Sequence, residues 1–411
     1  MKQAAGSEVQ TPLTTAIVGM GGFAGHHLEQ ILNDEAGQSL ELTAAIDPDP
    51  SGCAHLAALA ERGTPIYDSI DAYAAGPPAD LVIVSTPIHL HREHTVKVLQ
   101  HGSHVYCEKP VAATIQDAHA MAKARDASGR RVAIGFQWSY SDAIQQLKAD
   151  ILAGDLGRPL RFRTLVCWPR DATYYGRNNW AGQLRTPDGA WILDSPISNA
   201  TSHYLHSCFY LLGDALHTSA FPVDVRAELY RANAISNYDT AALRAHTENG
   251  VEILHYASHA VASGIGPVMT YEFENATVTF DRDAEPRFVA RFNDGTHRDY
   301  GTPDVNQASS LSMVAAAIRN DHPFACEIEA GLPLTLTANL AQESAGEIVD
   351  FPRDMVEAGA LVAVRQLELI LAECCTDGCL PSEKPDLDWA VAGSVVRARG
   401  YDTFRGPAAD G

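Results

Sequence analysis

Residues 79–110, ADLVIVSTPIHLHREHTVKVLQHGSHVYCEKP, decide how the rest of the chain is read. Leu81 to Val84 form a short apolar run rich in β-branched residues, suited to a parallel strand covered on both faces. Ser85, Thr86 and Pro87 end it. From His89 to His101 the spacing turns helical, with Val96 and Leu99 on one face, and Gly102 stands where the C-terminal glycine of a helix belongs. Val105 and Tyr106 then begin a second strand that carries Glu108, Lys109 and Pro110 to its carboxyl end. In an open parallel sheet that edge is where ligands bind, so Lys109 is the first candidate for chemistry.

Upstream, Thr15 to Val18 read as a strand running into GMGGFAGHH (residues 19–27), followed by an amphipathic helix through Leu28, Ile31 and Leu32. In such a strand, turn and helix, Gly19 permits the tight turn and Gly21 lets backbone approach a diphosphate. Ala24 stands where a third glycine packs helix on strand, and the helix N-terminus offers amide donors. The next strand, Leu42 to Ile46, ends at Asp47, a carboxylate placed to bind ribose hydroxyls and to repel a 2′-phosphate, which favours NAD over NADP. Residues 52–78 continue with an alanine-rich helix and a short strand at 65–67. A helix at 115–131 and a strand from Arg131 to Phe136 complete the alternation.

These motifs resemble those of the glucose-fructose oxidoreductase and inositol dehydrogenase-like (Gfo/Idh/MocA) family. The likeness rests on GxGGxxxxH at Gly19 to His27, TPxxxH at Thr86 to His91, and Cys107-Glu108-Lys109-Pro110. Ile88 departs from it, since relatives usually carry asparagine there. The resemblance implies an α/β protein with a Rossmann NAD(P)-binding domain at 13–136. An α+β domain follows at 137–401, with a large, mostly antiparallel open sheet and C-terminal helices. It implies cofactor contacts at Gly19, Gly21, Gly22, Phe23, Ala24, Asp47, Ser85, Thr86, Pro87, His91, Glu108, Lys109 and Gln137.

Beyond Gln137 the pattern changes to longer strands of period 2: Leu160–Trp168, Val223–Ala232, Thr240–Thr247, Val251–His259, Thr270–Phe280 and Arg287–Phe292. Glu248-Asn249-Gly250 and Asn293-Asp294-Gly295 are hairpin turns. The expected sheet has one face open to solvent or to a partner. Ser195-Pro196 starts a helix, with serine as cap and proline at its first position. On that helix Asn199, His203 and His206 share a stripe at i, i+4 and i+7.

Family members commonly carry an aspartate, a histidine four residues on and an aspartate three further, before a helix ending in LLG. Counting back from Leu211-Leu212-Gly213 puts Asn199, His203 and His206 at those places. Counting forward from the preceding glycine puts Asp194 and Ser198 there instead. The first register is preferred because it retains a histidine. On this reading Lys109 lowers the pKa of a substrate alcohol by its charge, and His203 takes the proton. Arg170, Tyr174, Tyr175, Arg177 and Asn178 form an aromatic and basic run suited to a sugar face, its hydroxyls or a carboxylate. Asp194, Asn199 and His206 are further substrate contacts.

With 411 residues and 46% hydrophobic content, the chain can bury a sizeable core in two domains. A net charge of −21 repels nucleic-acid backbones and anionic lipid. No stretch approaches the roughly 20 apolar residues of a membrane helix. The first twelve residues lack the apolar core of a secretory signal, so a cytoplasmic protein is expected. The eight cysteines fall mostly in apolar segments and read as reduced thiols. Neither Cys374, Cys375 and Cys379 nor the histidines at 89, 91 and 94 have the partners that a zinc site requires, and no metal is expected. Residues 1–12 and 402–411 read as flexible tails, and assembly as a homodimer or homotetramer is expected through 220–300.

The leading functional expectation is an NAD-dependent oxidoreductase acting on a secondary alcohol of a sugar, sugar acid or cyclitol. The resemblance also covers glycosidases that retain NAD and sugar-sensing regulators that bind nucleotide without turnover.

Overall fold

The computed structural model describes residues 11–33, 39–303 and 307–406. Six parallel strands form the first sheet: β1 (Leu13–Val18), β2 (Leu40–Ile46), β3 (Ile66–Tyr67), β4 (Leu81–Val84), β5 (His104–Cys107) and β6 (Val132–Ile134). Their order is β3-β2-β1-β4-β5-β6, so the direction of winding reverses between β1 and β4. All four side chains of β4 are fully buried. Complete burial contributes roughly 1.5–3 kcal/mol for each such aliphatic residue, which is why an unalternating Leu-Val-Ile-Val run occupies a central strand.

Helices α1 (Ala24–Leu32), α2 (Leu56–Glu61), α3 (Ile70–Tyr73), α4 (His91–His101) and α5 (Ile115–Ser128) connect these strands. Gly102 ends α4 in the left-handed conformation at φ +107°, as the glycine there predicts. β6 is shorter at both ends than the expected Arg131–Phe136, and on its outer edge the Ile134 amide bonds the Cys326 carbonyl.

Helix α6 (Asp142–Ala153) leads into the second sheet, which begins with β7 (Pro159–Cys167). The short α7 (Ala172–Gly176) and α8 (Ser202–Leu211) lie between β7 and the strands β8 (Pro222–Arg231), β9 (Thr240–Thr247), β10 (Glu252–Ser258), β11 (Ile265–Phe273), β12 (Ala276–Asp281), β13 (Glu285–Phe292) and β14 (His297–Gly301). A further short strand, β15 (Val349–Asp350), gives the order β14-β13-β12-β11-β7-β10-β9-β8-β15, and Val396–Arg397 pairs with β8. The expected single strand Thr270–Phe280 is in fact the β11–β12 hairpin. Its turn at Glu274-Asn275 lacks the glycine that marked the other two.

Helices α9 (Gln307–Asn320), α10 (Ile328–Ala345) and α11 (Leu367–Asp377) complete the fold. α10 returns to the first sheet, where the Asn339 side chain bonds the Ile115 amide and the Ala113 carbonyl. The expectation of an open sheet face needs correction. Over β7, β8, β9 and β10 that face is covered by the chain itself, as Leu165, Tyr230, Leu254 and Tyr256 pack against Phe351, Leu367, Leu371, Cys374 and Leu380. What stays uncovered, over β11 to β14, is threonine-rich and crossed by ion pairs such as Arg287 with Asp299 and Arg163 with Glu272.

Residues 402–406 also differ from the flexible tail expected there. Phe404 is 2% exposed, packs on Trp191 at 4.8 Å and exchanges two hydrogen bonds with Gln116 of α5. The rest of the two expected tails, 1–10 and 407–411, lies outside the described residues. All eight cysteines are unpaired thiols.

Candidate active site

The carboxyl ends of β1 and β4 meet at the reversal of the first sheet. Gly19 sits there at φ +88°, and a Cβ on it would lie 2.4 Å from the Ser85 carbonyl oxygen, so no other residue fits without moving the β4 loop. Gly21 and Gly22 have open space around them, and Gly22 is left-handed at φ +56°. Among the described residues the amides of Gly21, Gly22 and Phe23 have no acceptor. Three consecutive unpaired donors at the start of α1 form a ready concavity for an anion. Ala24 is buried against the strand, and Phe23 stands 42% exposed at the rim.

Asp47 closes the other side. Its carboxylate accepts from the Met20 amide at 2.8 Å and from the Asp49 amide at 2.9 Å, so the acidic group is fixed against the glycine turn. The free amides, the space a side chain would fill and the placed carboxylate together fit a dinucleotide.

Three residues expected to touch the cofactor are tied to partners within the protein. Glu108 is 6% exposed and pairs with His27 of α1 at 2.9 Å, fixing that helix to the end of β5. Gly135 is needed beside it, since a Cβ there would meet the Glu108 carboxylate at 2.9 Å. His91, 1% exposed, lies between the carbonyls of Thr86 and Pro110, 2.9 Å from each. Burial lowers its pKa despite those bonds, and the ring holds the β4 and β5 loops at a fixed separation. Thr86 carries a second clamp, its hydroxyl 3.1 Å from His94 Nδ1. Pro87 and Gln137 remain half-buried near the same edge.

Lys109 reaches across to the second domain. Its Nζ donates to both the backbone oxygen (2.9 Å) and Oδ1 (2.8 Å) of Asn199. Asn199 Nδ2 in turn donates to Asp194 Oδ1 at 2.7 Å, and Asp194 Oδ2 accepts from the Gly182 amide at 2.6 Å. The two alternative sequence registers thus meet in space. The carboxylate comes from Asp194, five residues before the asparagine, and acts on the lysine through an amide. Ser198, the other residue of that register, is buried with its hydroxyl on the Leu193 carbonyl.

The local backbone explains this placement. Leu193 is left-handed at φ +55°, a conformation costing about 1–2 kcal/mol in a non-glycine residue. Pro196–Ala200 form a π-helical turn rather than the first turn of a continuous α-helix. Such turns concentrate at functional sites, and here the turn swings Asn199 toward Lys109. Ser195 caps it, as expected, by accepting from the Ser198 amide.

His203 is half-buried on α8, edge-on to Phe136 at 5.8 Å, with Nδ1 enclosed and unpartnered. Burial, and then the charge of Lys109, hold its pKa well below that of an ordinary imidazole. Burial also lowers the pKa of Lys109, against the pull of Glu108 and Asp194. Desolvation raises the carboxyl pKa of Asp194, while its bonds to Gly182 and Asn199 oppose the rise.

His206, expected as a substrate contact, instead lies in the core: one turn further along the same stripe it stacks on Phe136 at 3.8 Å, and its Nε2 is bonded to Ser139 at 2.9 Å. It is 1% exposed, with its pKa pushed down to about 3 by burial.

The aromatic and basic run does gather here. The guanidinium groups of Arg170 and Arg177 lie 4.7 and 3.7 Å from the Tyr174 ring centre. Asn178 turns inward to cap the Trp180 and Ala181 amides. Tyr175 Oη and Arg170 Nε are enclosed without partners, as is Nε2 of His259, a residue sequence reasoning did not select. Its only sequence signal was its place at the end of a strand. Two further missed residues support Asp194: Gly182, through its amide, and Asn237, whose side chain donates to the Asp194 carbonyl. Two cavities elsewhere, of about 330 and 490 Å³, include none of these residues.

Comparison with known proteins agrees with this geometry. Residues 13–136 match the model of an oxidoreductase family with an NAD-binding Rossmann fold. An inositol 2-dehydrogenase of Rhodococcus erythropolis is 32% identical over 149 residues, covering 36% of this chain and 42% of the relative. A D-glucoside 3-dehydrogenase of Escherichia coli is 33% identical over 150 residues, covering 36% and 41%. The match therefore spans less than half the length of these curated relatives. The WlbA dehydrogenase of Bordetella pertussis, solved with NADH and UDP-GlcNAcA, has the same fold over 82% of this chain and 97% of its own, with a TM-score of 0.67 and 23% identity. With its glycine turn, Asp47 and Lys109 at the carboxyl edge of the matched sheet, the segment 13–136 is similar to the NAD-binding Rossmann domain of the glucose-fructose oxidoreductase and inositol dehydrogenase family of oxidoreductases.

Proposed function

We propose that the protein is an NAD-dependent dehydrogenase or reductase acting on a secondary alcohol of a sugar, sugar acid or cyclitol. The observation that carries this is the junction at Lys109. The ammonium is anchored on Asn199, and its charge also depresses the proton affinity of His203. The turn at Gly19–Ala24 would hold the diphosphate, Asp47 the ribose hydroxyls, and the Ser85–Pro87 loop and Gln137 the nicotinamide end. When bound, NAD supplies the hydride acceptor. Lys109 places positive charge where a substrate hydroxyl becomes an alkoxide, and His203, neutral at physiological pH, receives that proton. Asp47 favours NAD over NADP, since a 2′-phosphate beside it meets a fixed negative charge.

The dehydrogenase names of the curated relatives support the same reaction class. The assembly expected through 220–300 would use the outer face of β11 to β14, which the apolar cluster over β7 to β10 does not cover among the described residues. Calorimetric titration with both nucleotides, followed by nicotinamide absorbance in the presence of sugars and cyclitols, tests the reading. Tighter NAD binding and substrate-dependent reduction are expected. Equal binding of both nucleotides would remove the cofactor assignment, and NAD binding without turnover of any polyol would remove the activity.

A further inference from the structure

We propose that the substrate is an anion, a sugar or cyclitol bearing a carboxylate or phosphate that Arg170 and Arg177 receive. This rests on the reading above and narrows it. The observation is a group of cations at the junction that meet no carboxylate within 4 Å, beside enclosed donors that have no partner. Arg158, Arg161, Arg163, Arg226, Arg231, Arg244 and others each meet a carboxylate within 4 Å. Lys109, Arg170 and Arg177 are among the described cations that meet none, and these three are grouped, Arg177 acting on Lys109 and sharing the Tyr174 ring with Arg170.

Lys109 and Arg177 both act on the Asp194 carboxylate, and Arg170 lies beside them on the Tyr174 ring. Arg177 acts electrostatically on Lys109, Asp194 and Tyr174, and Arg170 on Tyr174, Tyr175 and His259. The neighbouring histidines His203 and His259 are held neutral by burial. Asp194 already accepts from Asn199 and Gly182, so its oxygens are committed and the two guanidinium groups remain without a carboxylate partner.

Unspent donors lie in the same place. Arg170 Nε and Tyr175 Oη are enclosed and have no partner. An enclosed donor left unpaired is costly, and a ligand acceptor would remove that cost. A guanidinium offers planar, paired donors that match a carboxylate or a phosphate, and the Tyr174 ring limits where both guanidinium groups can lie. A hydroxyl of a neutral sugar could accept from one such donor, but only a carboxylate or phosphate offers the paired acceptors that a guanidinium matches.

The test compares a hexose, its uronate and its phosphate ester as substrates of the full chain with NAD, in the unaltered protein, Arg170→Gln and Arg177→Gln. Thermal protection by NAD checks that each variant is folded. The anionic form is expected to exceed the neutral hexose in kcat/KM by about 10- to 100-fold, the range for hydrogen bonds to charged groups. Each substitution is expected to reduce that ratio severalfold or more, and whether uronate or phosphate ester leads identifies the anion. Turnover of the hexose at an equal or higher kcat/KM than both anions would overturn the inference and leave the oxidoreductase reading standing. An anion preference unchanged in both variants would overturn the assignment to these arginines. Failure to turn over any polyol while NAD binds would overturn the reading on which the inference rests.

Discussion

The two walls of the candidate site are built differently. The nucleotide wall is made of backbone: free amides at Gly21, Gly22 and Phe23, a left-handed Gly19 against the Ser85 carbonyl, and one carboxylate bonded to two amides. The opposite wall is made of side chains brought from five separate segments. Lys109 comes from the first domain, Arg170 to Arg177 from the loop after β7, Asp194 and Asn199 from a strained turn, His203 from α8 and His259 from the end of β10. A backbone wall needs glycines at fixed spacing. A side-chain wall needs only that distant residues meet, and it can change one member at a time, as with an asparagine relaying the charge of Asp194.

The sharpest way to break this comparison is at the junction. Replacing His203 by alanine should lower turnover by about two to four orders of magnitude, and Lys109→Met by about two to three, with NAD binding retained in both. Loss of NAD binding would mean the two walls are not separable. Gly19→Ala should do the reverse. A Cβ 2.4 Å from the Ser85 oxygen must displace the β4 loop, so nucleotide binding should fall below detection in calorimetry, with a lowered melting temperature. Normal NAD affinity in that variant would contradict the backbone account.

Asn199→Ala probes the relay. It removes one of the two acceptors of Lys109 and the partner of Asp194, and a loss of about 10- to 100-fold in kcat is expected from a bond to a charged group. An unchanged rate would reduce Asn199 to packing. At Asp47 a smaller effect is expected: alanine should erode the preference for NAD by about tenfold, equivalent to ~1.4 kcal/mol, read as the ratio of the two dissociation constants.

What could be read in the sequence follows the same division. The glycine turn, the buried β4 run and the Lys109 strand end were legible because local spacing specifies them. Glu108 and His91 were assigned to the cofactor by motif, yet their partners, His27 and the Pro110 carbonyl, are only visible once α1, β5 and the loops are assembled. His206 lay on the expected stripe, but one turn of helix separates a residue facing the site from one stacked in the core. The relay from Asp194 was hidden because a π-helical turn, not helical periodicity, sets the orientation of Asn199. The covering of the sheet by α11 depends on packing between segments over 100 residues apart.

The buried histidines add a test of the fold as a whole. Burial holds His206, His255 and His259 at about 3 and His94 at about 4. In the unfolded chain they titrate near 6.5. The unfolded state therefore binds more protons below that pH, and stability fully present above about 6.5 is lost as the pH falls toward the folded values. The melting temperature should decline from about pH 6.5 downward, and a level or rising profile over that range would contradict the burial of these rings.

The pH dependence of kcat/KM tests the pairing of Lys109 with His203 most directly. Since burial and Lys109 depress His203, activity should be lost on the acid side below the ordinary histidine pKa. Since burial depresses Lys109, a second loss should appear at a pH lower than an exposed lysine would give. His203→Gln should remove the acid limb and keep the alkaline one, while Lys109→Arg, which keeps its charge, should remove the alkaline limb and keep the acid one. Persistence of both limbs in both variants would contradict the account.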